Sequence, residues 1–309
     1  MTTIDLQVNG YAGVDFSALG LTNEAVSRTV KILADAGTDA FLPTIITSPI
    51  ETYQKNLPIL GTACSQHPGL LGIHLEGPFI SPEDGAVGAH PKACVQEPSM
   101  DLFRRLQDWA AGEIRLVTLA PERPGALPLI EYLVEHNVLV SIGHTLANAQ
   151  QIEDACAAGA TLATHLGNGL GRPPLPVSDP VQAILASPLS VMLITDGVHL
   201  SEEFLKTVYA MKGADKIIIT SDAAPVAGCP PGEYEIFGTR VRLTENGRVE
   251  NLNAPTLAGS AATLAQCVDV CRNVLKLEET ELKKMYCGNA ANYFPSAESV
   301  AINNFWLQK

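Results

Sequence analysis

The sequence predicts an α/β fold, a (β/α)8 TIM-like barrel, and three observations carry that expectation. Short β-branched runs alternate with amphipathic stretches from end to end. Eight such pairs fit into roughly the first 220 residues, as a barrel of this type requires. Most of the runs are continuously apolar, the pattern of parallel strands covered on both faces. An open, doubly wound sheet is the alternative, because strand order is not written in one sequence. A glycine-rich phosphate loop would favour it, and the only candidate, NGYAGVD, lacks the spacing.

In chain order the strands are expected at 3–8, 40–46, 70–74, 114–119, 138–142, 161–164, 191–195 and 216–220. Between the first two, Val26, Val30 and Leu33 repeat on one helical face, with Thr22 or Asn23 as cap and Gly37 as stop. Ser201 caps a later helix expected to bury Phe204, Leu205 and Val208. Beyond residue 220, GEYEIFGTRVRLTENGRV reads as a hairpin insertion near 232–250 that turns at Asn246-Gly247. Two helices follow, at about 260–275 and 279–287. No linker, repeat or low-complexity segment interrupts the pattern, so one domain over 1–309 is expected.

Composition narrows the function classes. The 309 residues are 46% hydrophobic and 17% charged, with a formal charge of -13, so neither nucleic acid nor an anionic membrane is the expected partner. No apolar run approaches the roughly 20 residues that span a bilayer. The opening MTTIDLQVNG lacks a basic segment followed by an apolar one, which argues against a secretory signal. Seven cysteines, odd in number and without a CxxC pair, fit a reducing, cytoplasmic compartment. Cys267 and Cys271, four apart, read as small buried hydrophobes on one helix face.

In a barrel, chemistry gathers where strands end. Five of the seven histidines fall in or just after such positions: His74, His90, His144, His165 and His199. Glu76 follows strand three, His144 ends strand five, His165 ends strand six and Asp222 ends strand eight. His144 and His165 would project from neighbouring strands. Two imidazoles and a carboxylate converging from different strands make a three-ligand divalent site with an open position, typical of hydrolytic zinc. Asp222 would stand beside that position as a base. The alternative is that both carboxylates are helix caps and the histidines are packed polar groups.

These residues lie in DLQVNGYAGVDF, GTDAFLPTIIT, GIHLEGPFISPEDGAVGAHP, SIGHT, GATLATHLGNGL, LITDGVHL, ITSDAAP and LAGSAATL, in that order, from residue 4 to about 290. The set resembles the N-acetylglucosamine-6-phosphate deacetylases of the amidohydrolase superfamily. The resemblance implies hydrolytic release of acetate from an amino sugar phosphate. It makes Glu76, His144 and His165 the ligands of a divalent ion, most simply zinc, with iron or manganese also compatible. Asp222 becomes the general acid/base, and His90 the group that polarises the acetyl carbonyl. Ala89, Asn168 and Gly169 match sugar-contacting positions, as do Leu257, Ala258 and Gly259. Arg172 and His199 match a phosphate-binding pair that the family completes across a homodimer interface. Asp5-Leu6-Gln7 stands where other members carry HxH, which implies one ion per chain.

The chain also departs from the family. It starts at strand one and stops about twenty residues after CGNAANYF, so the usual accessory β-sandwich is expected to be absent or truncated. The loop from Asn168 to Arg172 is short, and GNGL replaces the commoner FNAM. Hydrolysis of an unphosphorylated N-acetyl sugar or another amide therefore stays open. So does a non-catalytic sugar-binding relative, which an intact Asp222 and ligand set disfavour. A strand-four end without lysine, LVTLAPE, counts against a bridged two-metal member.

Overall fold

The apolar runs pair as parallel strands, and their alternate residues separate into two populations. A computed structural model describes residues 2–169, 180–254, 256–295 and 297. Its elements begin with β1 (Ile4–Val8), β2 (Gly10–Tyr11), β3 (Val14–Asp15), α1 (Asn23–Asp35), β4 (Ala40–Ile46) and α2 (Ile50–Gln66). Next come β5 (Ile73–Glu76), α3 (Met100–Trp109), β6 (Ile114–Leu119), α4 (Ala126–Glu135), β7 (Leu139–Ile142) and α5 (Ala149–Ala157). Then follow β8 (Leu162–Ala163), α6 (Pro180–Ala186), β9 (Ser190–Ile194), α7 (Glu202–Lys212) and β10 (Ile217–Thr220). The last elements are β11 (Gly232–Ile236), β12 (Thr239–Leu243), β13 (Val249–Asn251), α8 (Leu264–Leu275), α9 (Glu279–Lys283) and α10 (Asn289–Tyr293).

The main sheet has eight strands in the order β1-β4-β5-β6-β7-β8-β9-β10, every neighbouring pair parallel. It curls into a barrel whose last strand returns to its first. That seam is closed by side chains and one backbone bridge. The Asp5 carboxylate accepts from Thr220 Oγ1 at 2.6 Å and Ser221 N at 3.2 Å, and Asn9 N donates to Ala223 O at 2.9 Å. Residues Leu6, Leu42, Leu116, Leu162, Met192 and Ile218 pack together inside the barrel, where Ala290 of α10 and Phe294 just after it meet them. Their neighbours Phe41, Leu75, Val117, Val140, Val191 and Ile219 face the helix layer instead. This is the two-residue period of a strand buried on both sides.

Local signals explain most boundaries. Thr22 Oγ1 accepts from Ala25 N to cap α1, Gly37 follows it at φ +90°, and Ser201 Oγ accepts from Phe204 N to cap α7. Leu205 and Val208 are buried as expected, whereas Phe204 is only half-buried. The third barrel strand is displaced from the expected 70–74 to Ile73–Glu76. Gly72, at φ +124°, lies so near Arg115 that a Cβ there would sit 2.2 Å from its Cγ; the chain straightens only past this point. Glu76 is consequently the last residue of the strand and does not follow it.

The expected hairpin is a three-stranded antiparallel meander, β11-β12-β13. Besides the turn near Asn246-Gly247 it has a tight two-residue loop at Phe237-Gly238, with φ +55° and +72°. Positive φ at both positions suits a type I′ turn, and a phenylalanine there gives no turn signal. The expected helix at 279–287 continues from α9 through a π-helical turn at Lys284–Gly288 into α10. Cys267 and Cys271 are fully buried. Among the described residues no helix is long and apolar enough to cross a membrane.

Candidate active site

Barrel closure brings four strand ends to one mouth. Glu76 ends β5, His144 and His165 lie two residues beyond β7 and β8, and Asp222 lies two residues beyond β10. His144, His165 and Asp222 have φ of +49°, +29° and +50°, a region that non-glycine residues seldom occupy. Such strain collects at functional sites, where surrounding structure holds it in place.

The donors converge tightly. Glu76 Oε1 lies 2.9 Å from His165 Nε2 and 3.2 Å from His144 Nε2, and the two imidazole nitrogens are 3.1 Å apart. Ligands about 2.0–2.1 Å from one tetrahedral ion would be roughly 3.4 Å from one another, so this triplet needs to open only slightly to hold one. Glu76, His90 and His144 form a second, looser group, with donor atoms within 4.8 Å of one another. Hydrogen bonding distinguishes the two. Thr47 N donates to His90 Nδ1 at 3.3 Å, which leaves the His90 proton on Nε2, 3.6 Å from Glu76 Oε2. His144 Nδ1 donates to Ala86 O at 2.7 Å, which frees its Nε2 lone pair for the cluster. Such an outer hydrogen bond fixes the tautomer a metal ligand needs. The donor set of Glu76, His144 and His165 fits a divalent metal.

Burial and charge set the proton inventory. Burial opposes ionisation of Glu76, but the His165, His144 and His90 rings gathered around its oxygens hold it well below the usual carboxylate range. Burial, reinforced by nearby His90, pushes His144 down to about 4, so it is neutral at pH 7. Burial acts the same way on His165, yet the Glu76 carboxylate overcomes it and raises this imidazole. Asp222 is pushed up to about 7, by burial first and then by the Glu76 charge, against His165, His199 and a hydrogen bond from Asn9. A carboxylate that titrates near neutrality is suited to give and take protons.

These groups line a cavity of about 240 Å³. Of the residues singled out in the sequence, Glu76, His144, His165, Asp222, Ala89, His90, Asn168, Gly169, His199, Leu257 and Gly259 all face it. Ala258 does not; it is fully buried, with its N–H on Val249 O. Arg172 lies outside the described residues. His74 is fully buried below the cavity, bonded to Leu6 O at 3.0 Å and Thr118 Oγ1 at 2.7 Å, and serves the barrel interior.

Three polar side chains at the site were missed or only partly placed from the sequence. The expected equivalence placed Asp5-Leu6-Gln7 at the HxH position, but Asp5 is occupied at the seam. It is Gln7 and Asn9 that reach the site, donating to Glu76 Oε1 at 2.8 Å and Asp222 Oδ1 at 2.7 Å. A register shift between Asp5 and Val8 accompanies this change of facing, as bulges near active sites often do. The third is Asp196, whose Oδ2 accepts from His199 Nδ1 at 2.7 Å while Oδ1 accepts from the Val198 and His199 amides. Both Asn9 and Asp196 stand just past a strand, the one signal that could have marked them.

A parallel barrel with Glu, His, His and Asp at its strand ends defines a (β/α)8 barrel with a donor set suited to a divalent metal at its mouth. An amidohydrolase from Burkholderia multivorans with bound zinc shares this fold at TM-score 0.52 and 14% identity, covering 96% of this chain and 99% of that one. No protein-family model matches the chain. The N-acetylglucosamine-6-phosphate deacetylase of Lysinibacillus sphaericus is 33% identical over 294 residues, which cover 93% of this chain and 74% of that protein. A solved structure of the Mycobacterium smegmatis enzyme, an aspartate-to-alanine variant in complex with N-acetyl-D-glucosamine-6-phosphate, superposes at TM-score 0.88 with 28% identity, covering 95% of this chain and 77% of that one. The chain belongs to the N-acetylglucosamine-6-phosphate deacetylase family.

Proposed function

We propose that this protein hydrolyses the acetamide of N-acetylglucosamine-6-phosphate to glucosamine-6-phosphate and acetate. The observation that carries the reading is Asp222, poised near neutrality against a three-donor cluster at the mouth of the barrel. Glu76, His144 and His165 would hold one divalent ion, with zinc the best fit to two imidazoles and a carboxylate, and iron or manganese accepted by the same donors. Such an ion supplies Lewis acidity and makes water acidic enough to act as a nucleophile near neutral pH.

The remaining work falls to the chain. Asp222 takes the proton of the attacking water, then gives it to the sugar nitrogen, so that an amine leaves and not an amide anion. His90 carries its proton on Nε2, facing the site, and donates to the carbonyl oxygen as charge builds there. The glycine-rich wall around Gly169 and Gly259 leaves room for a pyranose, with Ala89, Asn168 and Leu257 beside it. His199, tethered by Asp196, would receive the phosphate, and Arg172 would supply a planar fork to it across a homodimer boundary. The chain as a whole is read as one cytoplasmic catalytic domain.

Acetate release by purified protein tests this directly. N-acetylglucosamine-6-phosphate should exceed N-acetylglucosamine by at least about 10²-fold in kcat/KM, because two charge-assisted contacts are each worth roughly 1.5–3 kcal/mol. Equal rates on both sugars would overturn the phosphate assignment. Light scattering of the intact protein checks the dimer.

A further inference from the structure

Among the described residues, Asn9 is one of the few buried side chains with part of its hydrogen-bonding capacity idle. It is 3% exposed, lies just past β1 and lines the cavity. Its Nδ2 donates to Asp222 Oδ1 at 2.7 Å, and a carboxylate accepts only, so the orientation of the amide is settled by chemistry. Among the described residues its Oδ1 has no hydrogen-bond partner. A buried amide oxygen without a donor costs about 1–3 kcal/mol, which calls for an explanation.

The reaction brings one donor to this spot. The leaving nitrogen must sit beside Asp222, which protonates it, and Asn9 is bonded to that carboxylate. The acetamide of an N-acetyl sugar is a planar secondary amide whose N–H points away from its C=O in the trans form. His90 comes from the loop after β5, whereas Asn9 and Asp222 flank the seam between β1 and β10. A carbonyl turned toward His90 thus turns its N–H toward the seam.

We propose that Asn9 is a catalytic residue whose Oδ1 accepts the N–H of the scissile amide while its Nδ2 holds Asp222, aligning the leaving nitrogen with its proton donor. This rests on the deacetylase reading above and adds a substrate contact on the nitrogen side of the amide. It also implies selection for N-acyl over O-acyl groups, since an ester oxygen at that position would face Oδ1 as a second acceptor.

Two inert analogues that differ only at that atom test the contact without any turnover. One is the N-methanesulfonyl derivative of glucosamine-6-phosphate, which keeps the N–H. The other is the sulfone with methylene in place of N–H. Acetate release from N-acetylglucosamine-6-phosphate by the unmodified protein is measured first, so a failure of the deacetylase reading is seen separately. Competitive inhibition should then favour the sulfonamide by about 10-fold, the worth of one well-made hydrogen bond. Asn9→Ala should erase that preference, and Asn9→Ser serves if circular dichroism shows the alanine variant unfolded. Equal inhibition of the unmodified protein by both analogues, or a preference that survives the substitution, would overturn the proposal.

Discussion

The two ends of the barrel interior obey opposite rules. At the base, Leu6, Leu42, Leu116, Leu162, Met192 and Ile218 fill the lumen, sealed by Ala290 and Phe294. All of these but Phe294 are completely buried and none carries a side-chain polar atom beyond the Met192 sulfur. At the mouth, among the described residues, three non-glycine strand-end residues adopt positive φ, two amide oxygens and His165 Nδ1 lack partners, and a carboxylate is held near its titration point. Between the ends runs a polar chain, His74 to Thr118 to Thr164 to Ser141, with contacts of 2.6–2.7 Å. Stability is concentrated at the base, and reactivity at the mouth is tolerated because the base holds the strands in register.

Substitutions at the two ends should therefore separate activity from stability. The largest loss is expected for His144→Ala, which removes one of three proposed ligands. Metal content measured by elemental analysis should collapse, and kcat/KM should fall by about 10³-fold or more. Full occupancy in that variant would refute the ligand set.

Asp222→Asn comes next, with kcat lower by about 10²–10⁴-fold at nearly unchanged metal content. The same change should stabilise the metal-free protein. The folded pKa of Asp222 is raised to about 7 from its ordinary 3.8, so the folded state binds the proton more tightly. Stability from this group is present at low pH and is lost as pH rises from about 4 to about 7. Above that window the variant should be more stable than the parent by something on the order of 1–4 kcal/mol, read by urea unfolding. The rate profile shares the cause: kcat/KM should decline as Asp222 protonates below about pH 7, and the limb should move to lower pH when a cation is bound.

Leu116→Ala should do the reverse, costing about 2–5 kcal/mol of stability while leaving kcat per folded molecule unchanged. A smaller effect is expected for Gly169→Ala. Gly169 has φ +59°, and a Cβ there would lie 2.6 Å from His144 Nδ1, so the imidazole must shift. Metal affinity should weaken by about 10–100-fold in a chelator competition, the range for disturbing a ligand's support. Lys55→Ala, breaking an exposed pair with Glu51 far from either end, should change stability by less than about 0.5 kcal/mol.

What the sequence made legible follows from how local each signal is. The eight strands and the caps at Thr22 and Ser201 were readable because apolar runs and capping residues act over a few positions. Glu76, His144, His165 and Asp222 were readable because strand ends and chemistry coincide. The register shift between Asp5 and Val8 was not, since it arises from pairing with β4, and it moved the HxH equivalence onto Gln7 and Asn9. The turn at Phe237-Gly238 stayed hidden because a left-handed phenylalanine contradicts its own propensity. Gly72 carried no visible mark either; its crowding against Arg115 exists only once β5 and β6 are adjacent.

The seam described between β10 and β1 has a bearing on how the protein fails. Every other strand pair is stitched by a backbone ladder, whereas this one depends on the Asp5 carboxylate and the bridge from Asn9 to Ala223. Asn9 and Asp222 both flank it. Fluctuations that part the first and last strands would scatter the proton donor before any helix melts. In hydrogen exchange the amides of Asn9 and Ser221 should open earlier than those of the β6–β7 ladder. On heating, catalysis should then fade at a lower temperature than circular dichroism does.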